Sequence, residues 1–349
     1  MDRPTMQTVA TAAGVSRMTV SNAYNRPDQL TAETRERILQ LARELGYPGP
    51  DPAAQSLRRR STGAIAVVLT SRLTDAFTDP GLVMVLHGIA GQLSDAGRAL
   101  LLVPTSAAPG TFPVRQAIAD ALILCDLAAE DPAVTDALGR HIPMVTIGHP
   151  RLPGTPLVGI DNQRSAGMAA SYLLELGHRR FGLLSWKPDD AGPGGPGPRP
   201  SMPLRSAGFT GALRRGGIEP ASIARREAAN TVEAGAQAVA DVLAQPPGQR
   251  PTAVFAVTDV LALGVLAAAH SAGIAVPGEL SVVGFDNIAA AASSSPPLTT
   301  VHQPLVELGQ DAARIALAQL DGQPARPRRM KTELVIRAST APAPPFTPA

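Results

Sequence analysis

The sequence predicts an α/β protein: a small all-helical head, a short linker, and a two-lobed core of doubly wound parallel sheets. Three observations carry this. The first 47 residues hold three helix-length segments and no strand pattern, and from Gly63 onward apolar runs of strand length alternate with helical stretches. The chain is 349 residues long, enough for two or three domains.

The head is the most specific part. Residues Thr8 to Tyr24, TVATAAGVSRMTVSNAY, read as a short apolar helix, a glycine turn and a second helix with a polar outer face. Val9, Ala10 and Ala13 make an apolar stripe narrow enough for the second helix to cross closely. Gly14 stands where the chain leaves the first helix, a place where positive φ costs glycine little. Val15 can fill the space between the helices, and the Ser16 hydroxyl can accept from the free amides of Met18 or Thr19. With the second helix starting at Arg17, Val20 faces inward. Arg17, Met18, Ser21 and Asn22 then project outward near the helix N-terminus, the end that enters a DNA major groove in a helix-turn-helix. The alternative is an αα-hairpin at the edge of an all-helical domain. A third helix follows, capped by Thr31, with Glu33 in its first turn and Ile38, Leu41, Ala42 and Leu45 at helical spacing before Gly46. Three short helices in so few residues bury little core by themselves.

Charge agrees with a nucleic-acid partner. Residues 1–60 hold nine basic against six acidic residues, a balance of +3, whereas the rest hold 22 against 23, a balance of −1. The basic excess sits in the head and the adjoining linker, densest at Arg58, Arg59 and Arg60, as phosphate binding requires. A single cysteine, Cys125, excludes an internal disulfide and suits a reducing compartment. The N-terminal MDRPTMQ lacks an apolar signal core, and no run of 18 apolar residues occurs. The expectation is a soluble, cytoplasmic protein without membrane partners.

Buried parallel strands are predicted at residues 64–69, 99–103, 121–125, 144–148, 181–186, 253–257 and 281–285. Between them lie helical stretches such as GLVMVLHGIAGQLSDAG, SAGMAASYLLELG and DVLALGVLAAAHSAG. Seven or more strands favour two lobes over one sheet. Ligands of such folds sit at the carboxyl ends of strands, where Asp79, Asp126, Asp259 and Asp286 follow apolar runs.

The run from Met6 to Tyr47, with VATAAGVSRMTVSNAYN and TRERILQLARELGY, resembles the DNA-binding head of the LacI/GalR family of transcriptional repressors. PAAQSLRRR, Pro52 to Arg60, resembles that family's hinge helix, and the similarity continues to about Arg337. The resemblance implies base-edge contacts by Arg17, Met18 and Asn22 and phosphate contacts by Ser16, Thr19, Ser21 and Asn25. Thr5 and Tyr47, at the ends of the matching run, join the DNA-contacting set. Leu57 matches the leucine that such repressors wedge into the minor groove. The family often has Arg at the position of Asn22. Arg17 suits guanine, Asn22 adenine, and Met18 an apolar contact such as a thymine methyl.

The core resembles the periplasmic sugar-binding fold of that family's effector domains. The resemblance implies a first lobe of residues 63–161 plus 292–322, and a second of 162–291 plus 323–340, with crossings near Asp161, Ser293 and Asp321. It also implies effector contacts by Arg205, in RSAGFTGAL, and by Asp286. Thr258 and Asp259 occupy the place of an Asn-Asp or Ser-Asp pair, and Asn230 a position often aromatic in sugar-binding members. Carboxylates opposite an arginine suit hydroxyl-rich or charged small molecules. An acid in such a place is also a common helix cap, an alternative that applies to Asp259.

Enzymatic chemistry finds little support. Gly192, Gly194 and Gly197 match a dinucleotide fingerprint, but Pro193, Pro196 and Pro198 lack the amides a pyrophosphate needs, so the segment reads as a linker or flap beside the cleft. No phosphate loop, GxSxG or HExxH occurs, and the six histidines never pair at ligand spacing. His178 reads as a turn residue before a strand and Cys125 as a buried small hydrophobe. No cofactor or metal is implied. The tail after Thr340, APAPPFTPA, has no leucine heptads for a tetramerising coiled coil. The expected molecule is a homodimer, associated through the core, that binds operator DNA under control of a small-molecule effector. A nucleotide-using enzyme and a solute-binding receptor are the rival classes; the first lacks a phosphate loop, and the second has no use for a DNA head.

Overall fold

The computed structural model describes residues 4–51, 61–70, 73–105, 113–187 and 199–345. The chain forms two compact units, 1–63 and 64–349. The first holds helices α1 (Met6–Ala13), α2 (Arg17–Asn25) and α3 (Ala32–Glu44). Thr5 opens α1 with a reciprocal capping box to Thr8, and Gly14 closes it at φ +66°. Ser16 caps α2 by accepting from the Thr19 amide at 3.0 Å, and Thr31 caps α3 by accepting from Thr34 at 3.3 Å. Val9, Ala10, Ala13, Val20, Ala23, Ile38 and Ala42 form the buried core, flanked by Tyr24 and Tyr47, whose rings meet edge-on at 6.1 Å. Arg35 of α3 donates to the Ala23 carbonyl, tying the third helix to the second.

In chain order the second unit runs β1 (Ala64–Leu69), α4 (Asp75–Thr78), α5 (Pro80–Asp95), β2 (Ala99–Pro104), β3 (Ala121–Cys125), α6 (Pro132–Leu138), β4 (Met144–Ile147) and β5 (Leu157–Gly159). It continues with α7 (Asn162–Glu175), β6 (Phe181–Trp186), α8 (Ser201–Arg215), β7 (Ala224–Ala228), α9 (Val232–Leu243), β8 (Ala253–Ala256) and α10 (Asp259–Ser271). It ends with β9 (Ser281–Asp286), α11 (Ala289–Ser293), β10 (Thr299–His302), α12 (Leu305–Leu320), β11 (Arg328–Arg329) and β12 (Glu333–Val335).

Two six-stranded sheets result, ordered β11-β5-β4-β3-β1-β2 and β12-β10-β9-β8-β6-β7. Every pairing is parallel except β12 against β10. Alternation along β1 shows the double winding: Ile65, Val67 and Leu69 pack on one face with α5 and α12, Ala66 and Val68 on the other with α6. The helices pair through glycines. A Cβ on Gly88 would lie 2.0 Å from the Val306 carbonyl, and one on Gly309 2.1 Å from that of Val85, so α5 and α12 touch backbone to backbone. Gly208 does the same for α7 and α8, and Gly264 for α9 and α10.

The chain passes between the lobes first at 160–161, between β5 and α7. The second and third crossings differ from the expected Ser293 and Asp321. β10 pairs with β9 in the second sheet and β11 with β5 in the first, so the chain crosses at 303–304 and again at 330–332. The cause is that Thr299, Thr300 and Val301 are fully buried in the second lobe, where the Thr299 amide donates to the Ser339 hydroxyl. Residues 294–302 therefore belong to the second lobe and 323–329 to the first. Strand β7, ARREA, carries no apolar run because it is an edge strand with alternating exposure.

Candidate effector cleft and DNA-recognition face

In the head, the outward face of α2 presents an exposed Arg17, an Asn22 half-buried at its side, and Met18 at 73% exposure. An exposed methionine at the N-terminal turn of a recognition-type helix has no packing role in the head. Ser16 and Thr19 share their hydroxyls at 2.9 Å, Thr5 lies exposed at the start of α1, and Asn25 donates to the Ser21 carbonyl at 3.0 Å. Tyr47 is half-buried; burial, then the neighbouring Tyr24, raises its phenol, opposed by nearby Arg17. Ser21 departs from the expected outward placement. It is 7% exposed, because the inward stripe of α2 takes in Val20, Ser21 and Ala23 together, and its backbone and side chain serve Asn25 instead of solvent. Leu57 and the hinge segment lie outside the described residues, as do Gly192, Gly194 and Gly197.

In the core, a cavity opens between the lobes at the carboxyl ends of both sheets, with an empty volume of about 720 Å³ including its mouth. Asp79, Asp126, Arg205, Asn230, Thr258 and Asp286 all line it. Asp79 reaches the wall as the N-cap of α5, its Oδ1 accepting from the Gly81 and Leu82 amides at 3.0 and 3.3 Å. Asp126, just past β3 with φ +50°, takes the His149 ring at 3.2 Å on Oδ1 and the Ser201 hydroxyl on Oδ2.

Arg205, on α8 and 4% exposed, is the most heavily bonded group. It donates to Asn162 Oδ1 at 3.0 Å, to the Val257 carbonyl at 2.7 Å and to Asp286 Oδ1 at 3.0 Å, and its guanidinium lies 3.8 Å over the Phe285 ring. Gln303, at the second crossing, donates to the same Asp286 oxygen. Burial pushes the Asp286 carboxyl up to about 7, against the pull of Arg205. Its φ of +124° is a strained conformation for a non-glycine residue, here at the end of β9 where the carboxylate must turn into the cavity.

Asp259 departs from the expected effector contact. It has no exposure and does not line the cavity; it accepts from the Ile288 amide at 2.9 Å and from the Thr300 hydroxyl, beneath β9. Gly284 makes room for it, since a Cβ there would lie 2.2 Å from Asp259 Oδ1. Asp259 is a buttress that holds the strand ending in Asp286, and burial raises its pKa to about 6. Thr258 caps α10 through the Leu261 amide while donating to Asn230 Oδ1 at 2.7 Å.

Sequence reasoning missed Arg199, Ser201, Asn162 and Gln303, all on the cavity wall. Arg199 and Ser201 follow a proline-rich run that reads as linker, and Asn162 and Gln303 sit at crossings that only the sheet order locates. Cys125 also lines the wall, half-buried, and burial pushes its thiol up to about 12, which makes it an inert wall group. His178 is 1% exposed and bonded to Thr252 and Ser281, its pKa lowered by burial: a packing residue before β6. Among the described residues no group of three or more His, Cys, Asp or Glu could hold a metal, and no helix is long and apolar enough to cross a membrane.

Residues 5–49 match the profile of bacterial regulatory proteins, lacI family, and residues 170–340 that of the periplasmic binding protein-like domain. An HTH-type transcriptional regulator of Mycobacterium tuberculosis is 36% identical, over 90% of each chain. The structure of the lac repressor dimer bound to operator and an anti-inducer is similar with a TM-score of 0.76 and 26% identity, covering 97% of this chain and 100% of that one. A transcriptional regulator CelR–cellobiose complex is similar with a TM-score of 0.64 and 29% identity, covering 97% of this chain and 100% of that one. A helix-turn-helix head, a two-lobed parallel-sheet core and this identity over nearly the whole length lead to one assignment: the chain belongs to the LacI family of bacterial transcriptional regulators.

Proposed function

We propose that this regulator is a repressor whose operator affinity is controlled by a small, hydroxyl-rich effector, a sugar or related metabolite, bound between the core lobes. The observation that carries the reading is the cavity itself, where a buried arginine and three carboxylates from two lobes converge on the space between the lobes. The relatives that hold an anti-inducer or cellobiose support the ligand class. Among the described residues that line the cavity none is aromatic, so in this reading the ligand is held by hydrogen bonds and aliphatic contact with Leu82, Ile147 and Met202 instead of ring stacking. Arg205 and Asp286 orient it, with Asn230, Thr258, Asp79 and Asp126 around them.

On the DNA side, Arg17, Met18 and Asn22 read bases while Thr5, Ser16, Thr19, Asn25 and Tyr47 hold the backbone, and Leu57 enters the minor groove. A homodimer formed through the core presents two heads to a near-palindromic operator in the cytoplasm. The effector acts through its differential affinity for the two lobe orientations. The reading assigns the chain no reaction and no cofactor.

The test has two arms. In a thermal-shift screen of sugars and polyols, the ligand that raises the melting temperature is carried into calorimetry, where Arg205→Ala lowers affinity by at least ~10-fold. On an operator selected from random DNA, Asn22→Ala and Arg17→Ala each cost about 1–3 kcal/mol of base discrimination. Unchanged effector affinity in the first arm, or unchanged selectivity in the second, would sink the corresponding assignment.

A further inference from the structure

The cavity already contains a cation of the chain's own. Arg199 precedes α8 in the second lobe, yet its Nη1 donates to Asp79 Oδ2 of the first lobe at 2.8 Å. Both partners are largely buried, with side-chain exposures of 16% and 13%. The guanidinium also lies 5.7 Å from the Trp186 ring centroid at the end of β6. Two residues on, Ser201 donates to Asp126, a second first-lobe carboxylate. Burial disfavours the Arg199 charge, but Asp79 and then Asp126 outweigh it and raise its pKa. One donor is left over: Arg199 Nε is buried without a hydrogen-bond partner among the described residues. A structural ion pair placed only for stability satisfies its donors, whereas this one sits on the wall of the ligand cavity with one unspent.

We propose that Asp79 and Asp126 on the cavity wall, with the Trp186 ring against the guanidinium, form a guanidinium subsite, and that Arg199 is its tethered occupant, latching the two lobes together when no effector is bound. The role as a latch rests on the reading of this cavity as the effector site; the subsite itself does not. Asp79 is fixed by its capping bonds to α5 and cannot swing out to water without uncapping that helix. A ligand that displaces Arg199 therefore replaces a positive charge, since a neutral group would leave a buried carboxylate unpaired. The chemical class that opens the latch is a small guanidinium or ammonium compound. A neutral polyol binds with the latch closed, and its oxygens are acceptors for Arg199 Nε.

The experiment needs no identified effector. Arg199→Ala removes an ethylguanidinium-sized group, so ethylguanidinium at millimolar concentration is the probe, with ethylammonium and sodium chloride at equal ionic strength as controls. In thermal melts of the full chain, Arg199→Ala lowers the core transition by about 3–8 °C, and ethylguanidinium restores about half of that loss. Wild type and the Asp79→Asn/Arg199→Ala double variant do not respond. An equal response in all three proteins, or none in Arg199→Ala, overturns the subsite. If Arg199→Ala does not fold, Arg199→Gln, Asp79→Asn and their double variant decide the matter: non-additive melting shifts support the latch, and strictly additive ones overturn it. Failure of the polyol screen with intact cation rescue removes the neutral-effector reading and leaves the subsite; the reverse outcome removes the subsite alone.

Discussion

Asp286 concentrates the residue-scale chemistry: one buried carboxylate accepts from Arg205 and Gln303, rests on the Asp259 buttress and turns into the cavity through a positive φ. Burial raises its pKa to about 7 and that of Asp259 to about 6, above the ~3.9 of an unfolded aspartate. A folded state that binds protons more tightly than the unfolded one loses stability as they leave. This contribution is therefore full below about pH 4 and is lost as pH rises through about 7. The expected outcome is that urea stability of the core declines between pH 5 and 8 in the wild type, and that Asp286→Asn flattens the decline. Parallel pH profiles for the two proteins would refute it. Asp79, Asp126 and Asp286 were legible as acids that follow strands, a place a helix cap also fills, and Arg205 only through its match to the family pattern; their common place on the cavity wall came from the structure. Placement was illegible at Ser21, whose exposure depends on which turn of α2 meets its neighbour, and at Asp259, whose carboxylate turns under β9 to Ile288 and Thr300 instead of into the cavity.

At the scale of elements, the second unit is built from helix pairs in van der Waals contact through glycine. Gly88→Ala places a methyl against the Val306 carbonyl, so α5 and α12 must separate. That overpacking costs about 1–3 kcal/mol. Gly91→Ala on the same helix is the control: nothing lies within 4 Å of its Cβ, and the change is expected to be neutral or stabilising by about 0.5–1 kcal/mol. Urea midpoints of the two variants check this, and equal midpoints would show that the helices slide freely. The seven apolar strands were legible from their runs. The five others were not: β5, β11 and β12 are two or three residues long, β7 is polar on its exposed face, and β10 hides two threonines that only burial reveals.

For the whole molecule, the proposed repressor requires two heads at a fixed spacing, which one chain does not supply. Sedimentation equilibrium is expected to show a dimer that persists at the concentrations where operator is half-saturated. A stable monomer that binds operator equally tightly would exclude the symmetric reading. The first lobe exposes Phe77 at 70% and Ile118 at 71%, apolar surface of the kind that association removes from water.

The sequence by itself determined the helix-turn-helix, its caps, the doubly wound core and the family, because these rest on local signals: period, cap residues and glycine at a helix end. The tertiary structure alone decided which acids face the cavity, where the chain recrosses between lobes, and that Arg199 bridges them. Those depend on contacts such as Arg199 with Asp79 and Ser201 with Asp126, between residues more than 70 positions apart. No local pattern encodes such a distance. Burial and pairing set the charge state of Asp286 and the partner of Arg199, and neither exists until the two sheets close on the same space.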